Sequence, residues 1–139
     1  MFLLDTGSLY TWVESILCVT CPSNKKGLFN EKTSTTHRFY DVVVDLHYGS
    51  GSVYGYNSID HVCISKDTCA TNYSFLTIAY ETNLGGNIGG GQSGFIGLGY
   101  YNPNNLLDLF ITKYKKEGII KQSVFSIYVD DDKRNKLVD

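Results

Sequence analysis

Phe2-Leu3-Leu4-Asp5-Thr6-Gly7-Ser8 is the stretch from which the fold can be read: a short apolar run ending in an acid carried on a tight turn. Gly7 lets the backbone take a positive φ or approach another segment closely, and Thr6 and Ser8 offer hydroxyls that can hold the carboxylate or the turn. A loop of this kind presents one acid rigidly. The same residue types also make ordinary turns, so the decision falls to the rest of the chain.

With 139 residues the chain has the usual size of one domain and can bury a real core. Twelve basic residues stand against fourteen acidic ones, a net charge of -2 with no basic stripe, which argues against nucleic acid or an anionic membrane as partner. Eleven Tyr, seven Phe and fourteen Gly with only two Pro favour strands and tight turns. No apolar stretch approaches the length of a membrane span. Met1-Phe2-Leu3-Leu4 is too short and lacks the basic flank of a signal peptide, so any targeting segment is expected outside these residues.

The four cysteines form two close pairs, Cys18 with Cys21 and Cys63 with Cys69. Three pairings are possible, of which the local one is simplest. A zinc site would want a second short Cys-x-x-Cys or histidines at ligand spacing, and a thioredoxin-like site would want its Cys-x-x-Cys to open a helix. Neither pattern is present, since Val19-Thr20-Cys21-Pro22-Ser23-Asn24 reads as a loop. Structural disulfides imply an oxidising compartment, and in such a compartment Asn72-Tyr73-Ser74 becomes a meaningful glycosylation acceptor. Both point to the secretory route.

Most of the chain reads as extended. Phe39 to His47 and Ser52 to Ile64 are β-rich runs joined by Tyr48-Gly49-Ser50-Gly51, which predicts a hairpin with a glycine-rich tip. Further strands are expected at Ser74 to Tyr80, Phe95 to Leu98 and Val124 to Val129. The segment Asn83 to Gln92 holds five glycines but lacks the Lys-Ser/Thr of a phosphate-binding loop. One helix is expected, capped by Asn104 or Asn105, with Leu106, Leu107, Phe110, Ile111 and Tyr114 on its apolar face and Gly118 as its stop. Asp130-Asp131-Asp132-Lys133-Arg134 reads as a solvated loop without the pattern of an oxygen-ligand site. His37, His47 and His61 show no ligand or triad spacing. No metal or cofactor is expected.

Several blocks now stand in order. Leu3-Leu4-Asp5-Thr6-Gly7-Ser8 followed by Trp12-Val13, the tip Tyr48-Gly49-Ser50-Gly51-Ser52, the run Gly94-Phe95-Ile96-Gly97-Leu98-Gly99, the Cys18 to Cys21 loop, and Gly118 to Val129 together resemble a pepsin-like aspartic protease over essentially the whole chain. The resemblance implies a mostly β fold, the N-terminal lobe of a bilobal enzyme with a flap hairpin and one or two short helices. It implies that Asp5 is one of two catalytic aspartates that activate a water between them at acidic pH. Thr6 would then brace the paired loop, Gly7 and Ser8 would contact the carboxylate, and Tyr48 would close over substrate, bonded to Trp12. Gly49 and Ser50 would bind the polypeptide substrate's backbone, and Cys18 and Cys21 would close the small disulfide loop that follows the Trp. A vacuolar, lysosomal or extracellular destination follows.

Two departures qualify the resemblance. No second Asp-Thr/Ser-Gly occurs, and only four residues precede Asp5, so residues 1–139 are expected to be a single partial domain that lacks the C-terminal lobe and is inactive alone. Ser93 also stands where many relatives carry Asp. Two alternatives remain open: a non-catalytic binding or inhibitor module that keeps the fold, and a homodimer in which each copy supplies one Asp.

Overall fold

A computed structural model describes residues 2–21, 27–84, 93–100 and 107–128. Its centre is a long meander. Arg38–Tyr48 (β3), Gly51–Ser65 (β4) and Thr68–Thr82 (β5) pair antiparallel in turn, in keeping with their Val, Ile, Tyr and Thr content. Leu3–Asp5 (β1), Trp12–Glu14 (β2) and Gly94–Gly97 (β6) complete a six-stranded mixed sheet in the order β1-β6-β2-β5-β4-β3. One helix, Phe110–Lys116 (α1), follows. The mostly β fold expected from the sequence is therefore found.

The sheet is buried on both faces at its centre, because successive strand residues point to opposite sides. Trp12, Leu76, Ile78 and Phe95 gather on one face with Val53, Leu84 and Leu107. Their neighbours Val13 and Phe75 gather on the other with Tyr73, Ala70, Leu98, Phe110 and Tyr114. Each such large apolar side chain contributes about 1.5–3 kcal/mol relative to exposure. The helix closes the second face: Tyr114 Oη donates to Val62 O at 2.7 Å, and the Glu117 carboxylate accepts from the Thr71 N–H at 2.8 Å.

Two expectations are corrected. Val124 to Tyr128 pairs with no strand among the described residues, and its apolar side chains are exposed; Val129 lies outside the described residues. The expected caps Asn104 and Asn105 lie outside them too, but Leu107, Asp108 and Leu109 are not helical. Leu109 is extended, at φ -83 and ψ 130, and the helix starts only at Phe110. The reason is packing: Leu107 enters the core with Trp12 while Phe110 enters the opposite one, so the chain must cross between them in extended form. The predicted stop is found, with Gly118 at φ +74 and its N–H donating to Lys115 O. Of the two roles open to Gly7, the positive φ is not taken. The residue's value lies in close approach to Asp5. The glycine-rich segment 85–92 and the charged segment 130–136 lie outside the described residues.

Both cysteine pairs are local disulfides, Cys18–Cys21 and Cys63–Cys69. The first closes a loop docked on β5 through Val19 N–H to Ala79 O and Thr20 Oγ1 to Glu81 O. The second joins residues directly opposite each other in the β4–β5 ladder.

Candidate active site

Asp5 is the last residue of β1, and its backbone is held by the strand beside it. β6 runs parallel to β1 with Leu3, Leu4 and Asp5 facing Phe95, Ile96 and Gly97. The Leu98 N–H donates to Asp5 O at 2.8 Å and the Gly99 N–H to Ser8 O at 2.9 Å, so the turn is fastened on both sides. The glycines of β6 make this approach possible. A methyl on Gly97 would lie 2.5 Å from the Leu9 carbonyl carbon and from the Tyr10 nitrogen.

Within the turn, the Gly7 N–H donates to Asp5 Oδ1 at 2.9 Å. This bond fixes the rotamer of the carboxylate. Asp5 is half-buried while Thr6 and Gly7 are exposed. Ser8 does not bond the carboxylate: its Oγ is buried without a hydrogen bond of normal geometry, close to the Tyr48 hydroxyl. The turn opens onto a cleft of about 600 Å³ whose far wall is Ser123, Val124 and Phe125.

The hairpin tip comes from the other end of the sheet. Tyr48 and Gly51 are ladder partners, so Gly49 and Ser50 form a two-residue turn, both exposed. Trp12 Nε1 donates to Tyr48 Oη at 2.8 Å, tying the tip strand to the body. Phe95 completes the contact, stacking on Trp12 with centroids 4.6 Å apart and meeting the Tyr48 ring edge-on at 5.6 Å. Burial pushes the Tyr48 phenol above its ordinary value, with Asp5 adding to the rise, while the bond from Trp12 and the nearby Ser8 hydroxyl oppose it. Tyr48 is thus a neutral hydroxyl at acidic and neutral pH.

The residues expected at the site fall into two groups joined by the Trp12–Phe95 stack: Asp5, Thr6, Gly7 and Ser8 at the turn, and Tyr48, Gly49 and Ser50 on the hairpin. Phe95 was missed as a member of this arrangement. Its signal was its place between the glycines of Gly94-Phe95-Ile96-Gly97, which marks a strand pressed against other backbone. A polar network that no local sequence pattern announces centres on Asp60, towards the far end of β4 from the hairpin tip. Asp60 accepts from Ser34 Oγ at 2.7 Å, from the Thr36 hydroxyl and from the His61 N–H at 2.7 Å. Burial alone would raise the Asp60 carboxyl, but these bonds and nearby His37 outweigh it and hold it below the usual carboxylate range. Among the described residues one grouping offers metal-ligand atoms, Glu14, Cys21 and Glu81, but the Cys21 sulfur is committed to its disulfide.

Comparison with known proteins converges on one family. The family model described as eukaryotic aspartyl protease matches residues 1–138. The chain is 30% identical to plasmepsin IV of Plasmodium falciparum over 131 residues, covering 93% of this chain and 29% of that protein. Plasmepsin I of the same organism is 30% identical over 137 residues, 97% of this chain and 30% of the relative. Human cathepsin D is 29% identical over 143 residues, covering 92% of this chain and 34% of the relative. The chain therefore spans about a third of the length of these relatives.

Proposed function

The chain belongs to the eukaryotic aspartyl protease family, and from that premise we propose that it supplies the N-terminal half of an endopeptidase site, with Asp5 as one of two catalytic aspartates. The observation that carries this reading is the Asp5 carboxylate on a braced turn, held by the Gly7 N–H at 2.9 Å and placed across from an anchored hairpin. Such a bond also occurs in ordinary Asx turns, so the reading draws on the family match as well as on the turn.

The reaction needs a second carboxylate, which the C-terminal lobe of the parent protein would provide. Two carboxylates brought face to face cannot both ionise, so they share one proton, which is the known behaviour of this class of enzyme. The ionised member takes a proton from a water lying between the pair, and the water oxygen attacks the scissile carbonyl carbon. The protonated member gives its proton to the carbonyl oxygen. In the collapse of the resulting diol, the carboxyl that took the water's proton passes it to the leaving nitrogen, the other carboxylate takes a hydroxyl proton, and the C–N bond breaks to release a neutral amine. In this scheme Gly7 orients Asp5, Trp12 and Phe95 anchor Tyr48, and Tyr48, Gly49 and Ser50 lie over the polypeptide substrate. The two disulfides support a life in the secretory route, ending in a lysosome, a vacuole or outside the cell.

The test is peptidolysis of a denatured protein substrate at acidic pH by the full-length protein. Activity that is inhibited by a statine-type transition-state mimic and lost in Asp5→Asn is expected, while residues 1–139 alone give no turnover. Full-length protein with an intact second aspartate that cleaves nothing, or that is unaffected by Asp5→Asn, would refute the reading. Activity of residues 1–139 alone, lost in Asp5→Asn, would favour a homodimer instead.

A further inference from the structure

Asn72-Tyr73-Ser74 takes no part in the site described above, yet its geometry is unusual for a strand. The β4–β5 ladder slips here: Asp60 faces Tyr73, but the next pair is Val62 with Ala70, leaving Thr71 and Asn72 in a bulge. Asn72 has φ 47, a left-handed conformation that Asn tolerates better than most residues. The bulge turns its side chain out to solvent, whereas Tyr73 beside it is fully buried. Arg38 Nη2 donates to Asn72 Oδ1, and Lys113 Nζ donates to the Asn72 carbonyl at 3.1 Å. Both contacts use oxygen atoms and leave the chemistry of Nδ2 untouched.

We propose that Asn72 is an N-glycosylation acceptor, modified before β5 closes onto β4, and that the fold then displays the glycan on the bulge. The inference rests on the secretory reading above. The donor is an oligosaccharide linked to a lipid through pyrophosphate. Asn72 Nδ2 forms a bond to C1 of the first sugar, the C1–O bond to pyrophosphate breaks, the lipid pyrophosphate leaves with the electron pair, and the amide nitrogen loses one proton. The product keeps Oδ1 as acceptor for Arg38.

The order of events follows from the third residue of the motif, whose hydroxyl must be read by the transferase. In the folded chain Ser74 Oγ donates to Asn57 Oδ1 at 2.8 Å and the Ser74 N–H donates to Asp108 Oδ2 at 2.9 Å. With Tyr73 locked in the core as well, the motif is legible only in the open chain. Asn72 also lies ten residues from Thr82, the β5 partner of Ser52 at the hairpin tip, a separation of roughly 30 Å at strand rise. The glycan is therefore anchored well away from the hairpin tip.

The test is expression of the full-length protein behind a heterologous secretory leader, which secures entry to the lumen whatever the native compartment. Digestion with a peptide N-glycosidase should leave Asp at position 72, seen in the mass of its peptide. Ser74→Ala should abolish the modification, Ser74→Thr should retain it, and Asn72→Asp, which keeps the left-handed preference, should give unmodified folded protein. In a second arm, purified transferase and lipid-linked oligosaccharide should modify the reduced, unfolded chain and not the oxidised, folded one. Secreted, disulfide-bonded protein with a bare Asn72 would overturn the proposal, and equal modification of folded and unfolded chains would overturn the order. Because the leader bypasses native targeting, neither failure is a failure of the secretory reading. That reading fails separately if the native protein is recovered reduced and outside sealed vesicles.

Discussion

The Tyr48 hydroxyl supplements the β4–β5 ladder with a side-chain tie between the hairpin and the body. Trp12 is 1% exposed, so its indole N–H has no access to water if Tyr48 Oη is removed. Tyr48→Phe keeps the ring contact with Phe95 but leaves a buried donor unpaired, and is expected to cost about 1–3 kcal/mol in urea denaturation. Asp60 is the second residue with a large stake, and its effect depends on pH. Its folded pKa lies below the unfolded value, so the stability it provides is fully present above about pH 4 and is lost as pH falls through the folded pKa. Asp60→Asn should therefore destabilise the protein at neutral pH and flatten the acid limb of its stability profile. An unchanged acid limb in the variant would show that the Asp60 carboxyl binds protons alike in the folded and unfolded chain. For a protein proposed to work in acid, a carboxylate held ionised to low pH keeps the Ser34 and Thr36 loop fastened where ordinary carboxylates have let go. Both residues illustrate what a sequence can show. Tyr48 and Trp12 were legible because each sits in a recognisable block, whereas Asp60 owes its role to Ser34 and Thr36 brought across from another segment. The Gly7 contact with the Asp5 carboxylate follows from the resemblance, whereas the absence of a Ser8 bond does not, since it depends on the direction of one side chain.

At the scale of elements, the hairpin separates two meanings of glycine. A methyl placed on Gly49 would meet nothing within 4 Å, and its φ is not left-handed. On Gly51 the same methyl would lie 2.1 Å from the Thr82 carbonyl oxygen, a backbone atom that cannot yield. Gly49→Ala should leave thermal stability nearly unchanged, whereas Gly51→Ala should cost several kcal/mol or prevent folding, because the β4–β5 ladder must open to admit it. Equal effects from both would mean that the tip's conformation, not the close approach, demands glycine. The sequence predicts the hairpin from the pair of glycines but cannot say which one is indispensable, because the obstruction comes from β5, some thirty residues away in the chain. The same limit explains the helix. Apolar spacing at Leu106, Leu107, Phe110, Ile111 and Tyr114 is periodic, yet periodicity does not reveal that Leu107 and Phe110 enter opposite cores. Val124 to Val129 has strand composition, but a strand also requires a neighbour, and the described part, Val124 to Tyr128, has none among the described residues.

For the whole molecule, the question is whether bridges or packing hold the sheet together. Both disulfides close short loops, with sequence separations of 3 and 6. Chain-entropy arguments assign about 2 kcal/mol to loops of this length, less than a bridge across a long loop would give. Neither bridge joins distant parts of the chain, and the strand order β1-β6-β2-β5-β4-β3 is assembled from contacts far apart in sequence. Those contacts are made by side chains on β2, β5 and β6 that are buried on both faces of the sheet. Leu76 stands at the centre of this arrangement, fully buried and facing Trp12 across the β2–β5 pair. Leu76→Ala in the oxidised protein is expected to cost about 2–5 kcal/mol, since it removes apolar contact and leaves a cavity that surrounding strands cannot fill. Replacing Cys63 and Cys69 together by Ser is expected to cost no more than about 2 kcal/mol and to loosen mainly the Ser65–Thr68 end of the hairpin. Urea denaturation followed by Trp12 fluorescence compares the two directly, with amide exchange locating the loosened segment. If the double serine variant fails to fold while Leu76→Ala remains folded, the disulfides rather than the two-sided core hold the six strands in register.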